Sequence, residues 1–206
     1  RSLEALRAET QRAAGAGHAE IVLTGIRLAS YGRERGLTLA DAVKAAAETD
    51  VQRIRLGSLD PDEISQALID ALAAEKKFCR QFHLSLQSGC DNTLHRMARR
   101  YTTAQFADTV ARIRAAMPDA VFTTDVMCGF VGETEEDHRA SLAFCEKIGF
   151  YKLHVFPYSK REGTAAARMP GHLPQAVKQQ RAAEMAALGR RLEQRYLQQI
   201  VGTGQE

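Results

Sequence analysis

The chain has 206 residues, with 28 Lys and Arg against 25 Asp and Glu and a formal charge of +3. That length suits one domain, or one and a fraction, and buries a core without disulfide or metal staples. At 45% hydrophobic and 26% charged, the composition excludes a disordered or fibrous chain, no apolar run nears the roughly 20 residues of a membrane span, and so small a charge does not by itself argue for nucleic acid.

The first β-branched run is Ala19 to Gly25. A capping box at Thr38 and Asp41 then opens an Ala-rich helix. The second run is Val51 to Leu59, and Asp60-Pro61-Asp62-Glu63 is expected to start a helix through Leu68, Leu72 and Ala73, with Pro in the first turn. Phe82 to Gln87 is the third run. A short helix follows, then a longer one opened by Thr102 and Gln105. The fourth run, Ala120 to Cys128, precedes a helix capped by Thr134 and Asp137. Lys152 to Tyr158 is the fifth run, and Ser159 to Gly171 reads as a surface loop. The last helix starts near Pro174 and carries Val177, Met185, Leu188, Leu192, Tyr196 and Ile200 on one stripe. Five strand–helix units in series imply a parallel sheet covered by helices. Right-handed crossovers leave an open doubly wound sheet or a full or partial β/α barrel.

The four cysteines are Cys79, Cys90, Cys128 and Cys145. None has ligand spacing to another, so no local metal site is readable. Reduced, buried thiols are the expectation. Seven of the 28 cations are Lys, and the Arg that make up the rest suit bidentate contact with carboxylate or phosphate. A GC-rich genome produces the same bias.

Polar or Gly-rich residues gather at the carboxyl ends of the runs, where parallel α/β folds place their sites. They are Thr24-Gly25, Gly57-Ser58, Gln87-Ser88-Gly89, Asp125 with Gly129, and Phe156-Pro157-Tyr158-Ser159. Turn chemistry alone also calls for Gly, Ser and Asp. Gln87 suits a ribose hydroxyl pair, while Ser88 to Asp91 also reads as a helix cap. Arg96, Arg99 and Arg100 read as a helix-borne set able to grip a carboxylate, or as a solvated basic face. Gly129-Phe-Val-Gly-Glu-Thr134 has neither dinucleotide-fingerprint nor P-loop spacing. His83 and His154 read as core or edge histidines.

Six segments in order carry a resemblance. They are Glu20-Ile-Val-Leu-Thr-Gly25, Arg55-Leu-Gly-Ser-Leu-Asp-Pro61, His83-Leu-Ser-Leu-Gln-Ser-Gly-Cys90, Arg96-Met-Ala-Arg-Arg-Tyr101, the stretch from Asp125 to Asp137, and His154-Val-Phe-Pro-Tyr-Ser-Lys-Arg-Glu-Gly-Thr164. Together they resemble the radical S-adenosylmethionine methylthiotransferases, nearest the branch acting on threonylcarbamoyladenosine in tRNA. Val131 stands where the family usually has Pro.

The resemblance implies an α/β fold, a partial (β/α) barrel with parallel strands, outer helices and its first strand missing. Residues 1–206 would be a partial radical SAM core, without the N-terminal cluster domain and the C-terminal RNA-binding domain. It implies S-adenosylmethionine as cofactor and [4Fe-4S] clusters in a longer parent, with ligands outside this chain. The cofactor would yield a 5′-deoxyadenosyl radical, which takes hydrogen from C2 of a modified adenosine before methylthio transfer. Thr24 and Gly25 match the strand end that meets the methionyl amino group, and Arg99 matches the partner of its carboxylate. Gln87 and Ser58 are placed for the ribose and methionyl parts. Val126 through Gly129, and Phe156, are placed to line the adenine. No catalytic or metal-ligating residue is assigned in this chain. The partners implied are tRNA, through an anticodon-loop adenosine, and a reductant for the cluster, with no membrane and a cytoplasmic setting.

Arg1 is neither an initiator Met nor part of a signal peptide, so a fragment or processed chain is expected. The fragment alone is expected to be inactive and, with an open sheet edge, less stable than the intact domain. Other readings are a non-catalytic S-adenosylmethionine- or RNA-binding remnant, and an isopentenyladenosine or ribosomal-protein methylthiotransferase. An aldolase-type barrel would need a Schiff-base Lys in an apolar strand end, and neither Lys152 nor Lys160 lies in one.

Overall fold

The computed structural model describes residues 1–203. They form two compact units, one of residues 1–84 with 108–121, the other of 85–107 with 122–203.

The first unit runs α1 (Leu3–Gly15), β1 (Glu20–Leu23), α2 (Leu39–Ala47), β2 (Arg53–Leu56), α3 (Gln66–Ala74) and β3 (Gln81–His83). β1 and β2 are parallel, with Glu20 opposite Arg53 and Leu23 opposite Leu56. Parallel bridges Ile54–Phe78 and Leu59–Leu84 carry the pairing onward. Period-2 alternation sorts the side chains. Leu23, Ile54 and Leu56 are buried against the helices, while Glu20, Arg53 and Arg55 share the other face and are only half-buried. On that face Glu20 accepts from Arg53 Nε at 3.1 Å and pairs with Arg55 Nη2 at 2.6 Å. The expected capping box is present on α2: Thr38 N donates to Asp41 at 2.8 Å and Asp41 N to Thr38 Oγ1 at 3.4 Å. The second unit contains α4 (Asp91–Arg96), the paired strands β4 (Val121–Cys128) and β5 (Lys152–Pro157), α6 (Glu135–Ile148), α7 (Ala165–Arg168) and α8 (Gln175–Ile200). β4 and β5 are parallel, with Val126 opposite Val155 and Met127 opposite Phe156. The α5 helix (Thr103–Ala116) contributes to both units. Its own box has Thr102 N donating to Gln105 at 2.9 Å and Gln105 N to Thr102 Oγ1 at 3.2 Å. Phe106 is fully buried, edge-on to Phe144 and Phe150.

The α/β class with parallel strands is as expected, one element is added and two local expectations are corrected. The α1 helix precedes the first strand run. Ser2 caps it, but only Thr10 is buried along it, so its apolar stripe is faint. Pro61 opens only one 3₁₀ turn, Pro61–Glu63, and α3 starts afresh behind the Ser65 cap. Carbonyls a continuous helix would use are taken elsewhere: Thr109 Oγ1 donates to Pro61 O at 3.3 Å and Arg112 Nη2 to Ile64 O at 3.1 Å. The loop after β5 also contains α7, capped by Thr164.

Gly89 sets how closely the turn after the third run approaches α6. Its N–H donates to Ser141 Oγ at 2.9 Å, and a Cβ there would lie 2.9 Å from Ser141 O and 2.8 Å from Phe144 Cβ. Gly89→Ala is therefore expected to cost about 1–3 kcal/mol through overpacking. For a chain of this size that lowers the thermal midpoint by about 2–4 °C per kcal/mol; an unchanged midpoint in a melting experiment would refute the tight contact.

Candidate functional site

In the first unit, two strand ends lie side by side. Gly57 N donates to Leu23 O at 2.8 Å, and a Cβ on Gly57 would stand 3.1 Å from Thr24 Oγ1. Thr24, Gly25 and Ser58 are exposed there. An open cleft of about 650 Å³ runs along β1, lined by Leu6, Ile21, Leu23, Thr24 and Tyr31 among others. Among the described residues, no strand pairs with the outer edge of β1, and Val22 is 52% exposed.

In the second unit, Gln87 is bridged to β4. Its N–H donates to Asp125 O at 2.9 Å and its carbonyl accepts from Met127 N at 2.8 Å, on either side of Val126. Gln87 has φ +65°, a left-handed conformation for a residue with a Cβ. That costs on the order of 1 kcal/mol or more and persists only where surroundings enforce it, a pattern common at binding sites. Val126 is fully buried, so its side chain belongs to the core. Met127 and Phe156, opposite one another in register, are the more accessible pair, with Phe156 52% exposed. Gly129 follows β4 at φ +73°.

The basic set after α4 differs from expectation. The α4 helix ends at Arg96, and Ala98 turns the chain at φ +55°, so Arg99 and Arg100 are not helix-borne. Arg99 N caps the turn by donating to Leu94 O at 3.0 Å. Arg96 binds a protein carboxylate, with Nη2 2.7 Å from Asp137 Oδ2.

Asp137 gathers four donors. Besides Arg96, it accepts from Asn92 Nδ2 at 3.1 Å, from the Cys90 thiol at 3.2 Å and from Thr134 N at 3.0 Å. Burial pushes its carboxyl up, but hydrogen bonds from Thr134, Cys90, Arg96 and Asn92 together hold it well below the usual carboxylate range. The position was legible only as a capping residue, because Cys90, Asn92 and Arg96 are more than forty positions away.

A second buried pair holds the loop after β4. Glu133 Oε1 accepts from Gly129 N at 3.0 Å and from Arg181 Nη1 at 2.8 Å, and Arg181 Nη1 also donates to Glu133 O at 2.9 Å. Both side chains are at most 9% exposed. Nothing in the sequence pairs α8 with this loop, since 48 positions separate the partners.

The thiols are in unreactive settings. Burial pushes the Cys128 thiol up to about 12, and burial likewise raises Cys145, Cys90 and Cys79. All four are therefore protonated at neutral pH and poor nucleophiles.

Residues 1–145 match the family model described as the radical SAM superfamily. The chain is 35% identical over 187 residues to the threonylcarbamoyladenosine tRNA methylthiotransferase MtaB of Thermotoga maritima, covering 90% of this chain and 43% of the relative. It is 36% identical over 209 residues to the tRNA-2-methylthio-N(6)-dimethylallyladenosine synthase of Pelotomaculum thermopropionicum, covering 100% of this chain and 47% of that protein. The chain thus spans less than half the length of these relatives. Among solved structures, coproporphyrinogen III oxidase (HemN) from Escherichia coli has a TM-score of 0.66 at 19% identity, over 92% of this chain and 45% of that one. That likeness is one of fold.

The cysteines here do not fit an iron–sulfur cluster. All four are buried and lie far apart in sequence, and among the described residues no group of three or more His, Cys, Asp or Glu is placed to hold a metal ion. Within each unit the strand ends are open: in the first the Gly57 position leaves room beside Thr24, and in the second Phe156 offers an exposed aromatic face.

Because the folded-state pKa of Asp137 is depressed, its contribution to stability is present above the ordinary carboxylate range and lost as pH falls through it. Asp137→Asn is expected to lower stability at pH 7 by about 3–5 kcal/mol, since it leaves Arg96 half-buried and unpaired. It should also flatten the acid limb of a stability–pH profile below about pH 5. Parallel acid limbs for the two proteins in urea titrations would contradict this assignment.

Proposed function

The chain belongs to the radical SAM superfamily, and we propose that it is the central part of a cytoplasmic tRNA methylthiotransferase modifying C2 of an N6-substituted adenosine. The observation that carries this is sequence likeness across 90% of the chain or more to relatives whose names state that chemistry. Threonylcarbamoyladenosine is the favoured substrate, from the Leu-Thr-Gly and Leu-Gln-Ser-Gly-Cys segments. The dimethylallyladenosine synthases at 36–38% identity keep the N6-isopentenyl substrate as the second reading.

When bound, S-adenosylmethionine supplies radical chemistry for breaking an unactivated C–H bond, and the protein's part is binding, orientation and exclusion of water. In this reading Thr24 and Gly25 receive the methionyl amino group, and Ser58 and Gln87 the methionyl and ribose hydroxyl groups. Gln87 supports this, because its left-handed backbone is fastened on both sides by β4. Arg99 receives the methionyl carboxylate. The strand end from Val126 to Gly129, together with Phe156, lies along the adenine; Val126 contributes backbone, being fully buried. Buried thiols without cluster spacing supply no electron-transfer centre, so this stretch alone is proposed not to turn over. A longer protein would bring the cluster and its reductant.

Arg99→Ala is expected to weaken S-adenosylmethionine binding about 10–100-fold, the worth of a charge-assisted hydrogen bond. An unchanged dissociation constant by calorimetry would remove Arg99 from the carboxylate role. For the RNA, the salt slope of tRNA binding reports how many phosphates are neutralised. A slope near zero for this chain would assign tRNA capture to other parts of a longer protein.

A further inference from the structure

Two polar groups at the end of the β4–β5 sheet have no side-chain hydrogen-bond or ion-pair partner among the described residues, and one of them, the Tyr158 hydroxyl, is buried. Lys178 stands near the N-terminus of α8 and is 9% exposed. Its stem lies on Gly129, where a Cβ would come within 2.4 Å of Lys178 Cγ. The absent side chain at Gly129 is what admits the lysine. Lys178 Nζ sits over the Tyr158 ring, 5.6 Å from its centroid. Among the described residues, no carboxylate lies within ion-pair distance of it. Arg181, one turn along, has Glu133.

Tyr158 is 6% exposed, and its hydroxyl oxygen is buried without a hydrogen-bond partner among the described residues. Its ring is wedged edge-on to Phe130 at 5.1 Å and stacked with His172 at 5.9 Å. Met97, Met127 and Met169 pack around the same cluster. Thioether side chains are the most adaptable cover a buried group can have.

Two features are unfavourable alone. A buried hydroxyl without a partner costs about 1–3 kcal/mol. A cation in the first turns of a helix opposes the helix dipole, which favours anions there. The Lys178 stem is packed on Gly129 while its ammonium, without an ion-pair partner among the described residues, stays accessible to a ligand. One bound anion would relieve both and pair the accessible ammonium. The neighbouring segment, residues 159–172, carries Lys160, Arg161 and Arg168 against the single acid Glu162, so the local field draws anions in.

We propose that Lys178 and Tyr158 form a receiving site for an oxyanion carried by an adenosine-containing ligand. The ammonium supplies the charge and the phenol a hydrogen bond. The adenosine part of this proposal rests on the reading above, because Gly129, read there as lying along the adenine, carries the Lys178 stem. Two sources carry the required chemistry: the carboxylate of S-adenosylmethionine, which the pair would then share with Arg99, and a nucleotide phosphate of the RNA.

Binding of three probes to the wild-type chain, Lys178→Met and Tyr158→Phe separates them. S-adenosylmethionine has the carboxylate, adenosine 5′-monophosphate the phosphate, and 5′-methylthioadenosine neither. Lys178→Met is expected to weaken one charged probe at least tenfold and to leave 5′-methylthioadenosine unchanged. Tyr158→Phe should weaken the same probe several-fold. Loss confined to S-adenosylmethionine identifies the carboxylate, and loss confined to the monophosphate identifies the phosphate. Both variants should melt at or above the wild-type temperature, since Tyr158→Phe removes an unsatisfied buried hydroxyl and Lys178→Met a cation that opposes the helix dipole.

The site is overturned if neither charged probe binds the wild type, or if Lys178→Met shifts all three probes alike or none. Intact S-adenosylmethionine binding in Lys178→Met, with the monophosphate also unaffected, removes this site and leaves the cofactor reading standing. Monophosphate binding that depends on Lys178, with no binding of S-adenosylmethionine, does the reverse.

Discussion

The second unit depends on a carboxylate that would be intolerable without its partners. Glu133 is all but sealed from solvent, and a lone ion there would be strongly disfavoured. Arg181 of α8 neutralises it and the Gly129 N–H donates to the same oxygen, Oε1. Through that one group, the loop after β4 is tied to the helix that follows β5. A buried ion pair of this kind contributes little net stability but specifies geometry, because removing either partner strands the other. Here the geometry specified is the path of the chain at the strand ends.

Asp137 repeats the device for the preceding segments. Its carboxylate joins the first turn of α6 to Arg96, Asn92 and Cys90 at the turn after the third strand run. Gly89, pressed on Ser141, completes that junction without a side chain. Each carboxylate follows β4 in sequence and sits near a helix N-terminus or its loop, where negative charge is favoured. The strand ends of this unit are thus positioned by anions of the protein itself. Against that balance stands Lys178, whose stem is buried and whose ammonium has no ion-pair partner among the described residues.

The accessible groups at the strand ends of each unit are backbone and small residues more than reactive side chains. The thiols are buried and protonated, and Val126 is core. What remains accessible is Thr24, Gly25 and Ser58 in the first unit, and Phe156 with the fastened backbone of Gln87 in the second. Such groups suit holding a cofactor that carries the reactivity rather than supplying an acid, a base or a nucleophile.

The sequence by itself determined the class of the fold, because periodicity and caps are local. Parallel strand runs, the boxes at Thr38, Thr102 and Thr134, and the buried stripe of Met185, Leu188 and Leu192 all follow from neighbours within a few residues. The order of six short segments was enough to suggest the family. Where local signals were weak or overridden, the reading failed. The α1 helix buries too little to show a stripe, the helix expected at Pro61 yields its carbonyls to residues of α5, and Arg99 leaves its helix where Ala98 turns left-handed. Only the tertiary structure decided which charges meet: Arg96 with Asp137, Arg181 with Glu133, and Lys178 with a tyrosine ring. These partners lie some 20 to 48 positions apart, and a charge's energy depends on what surrounds it in space, not on its neighbours along the chain.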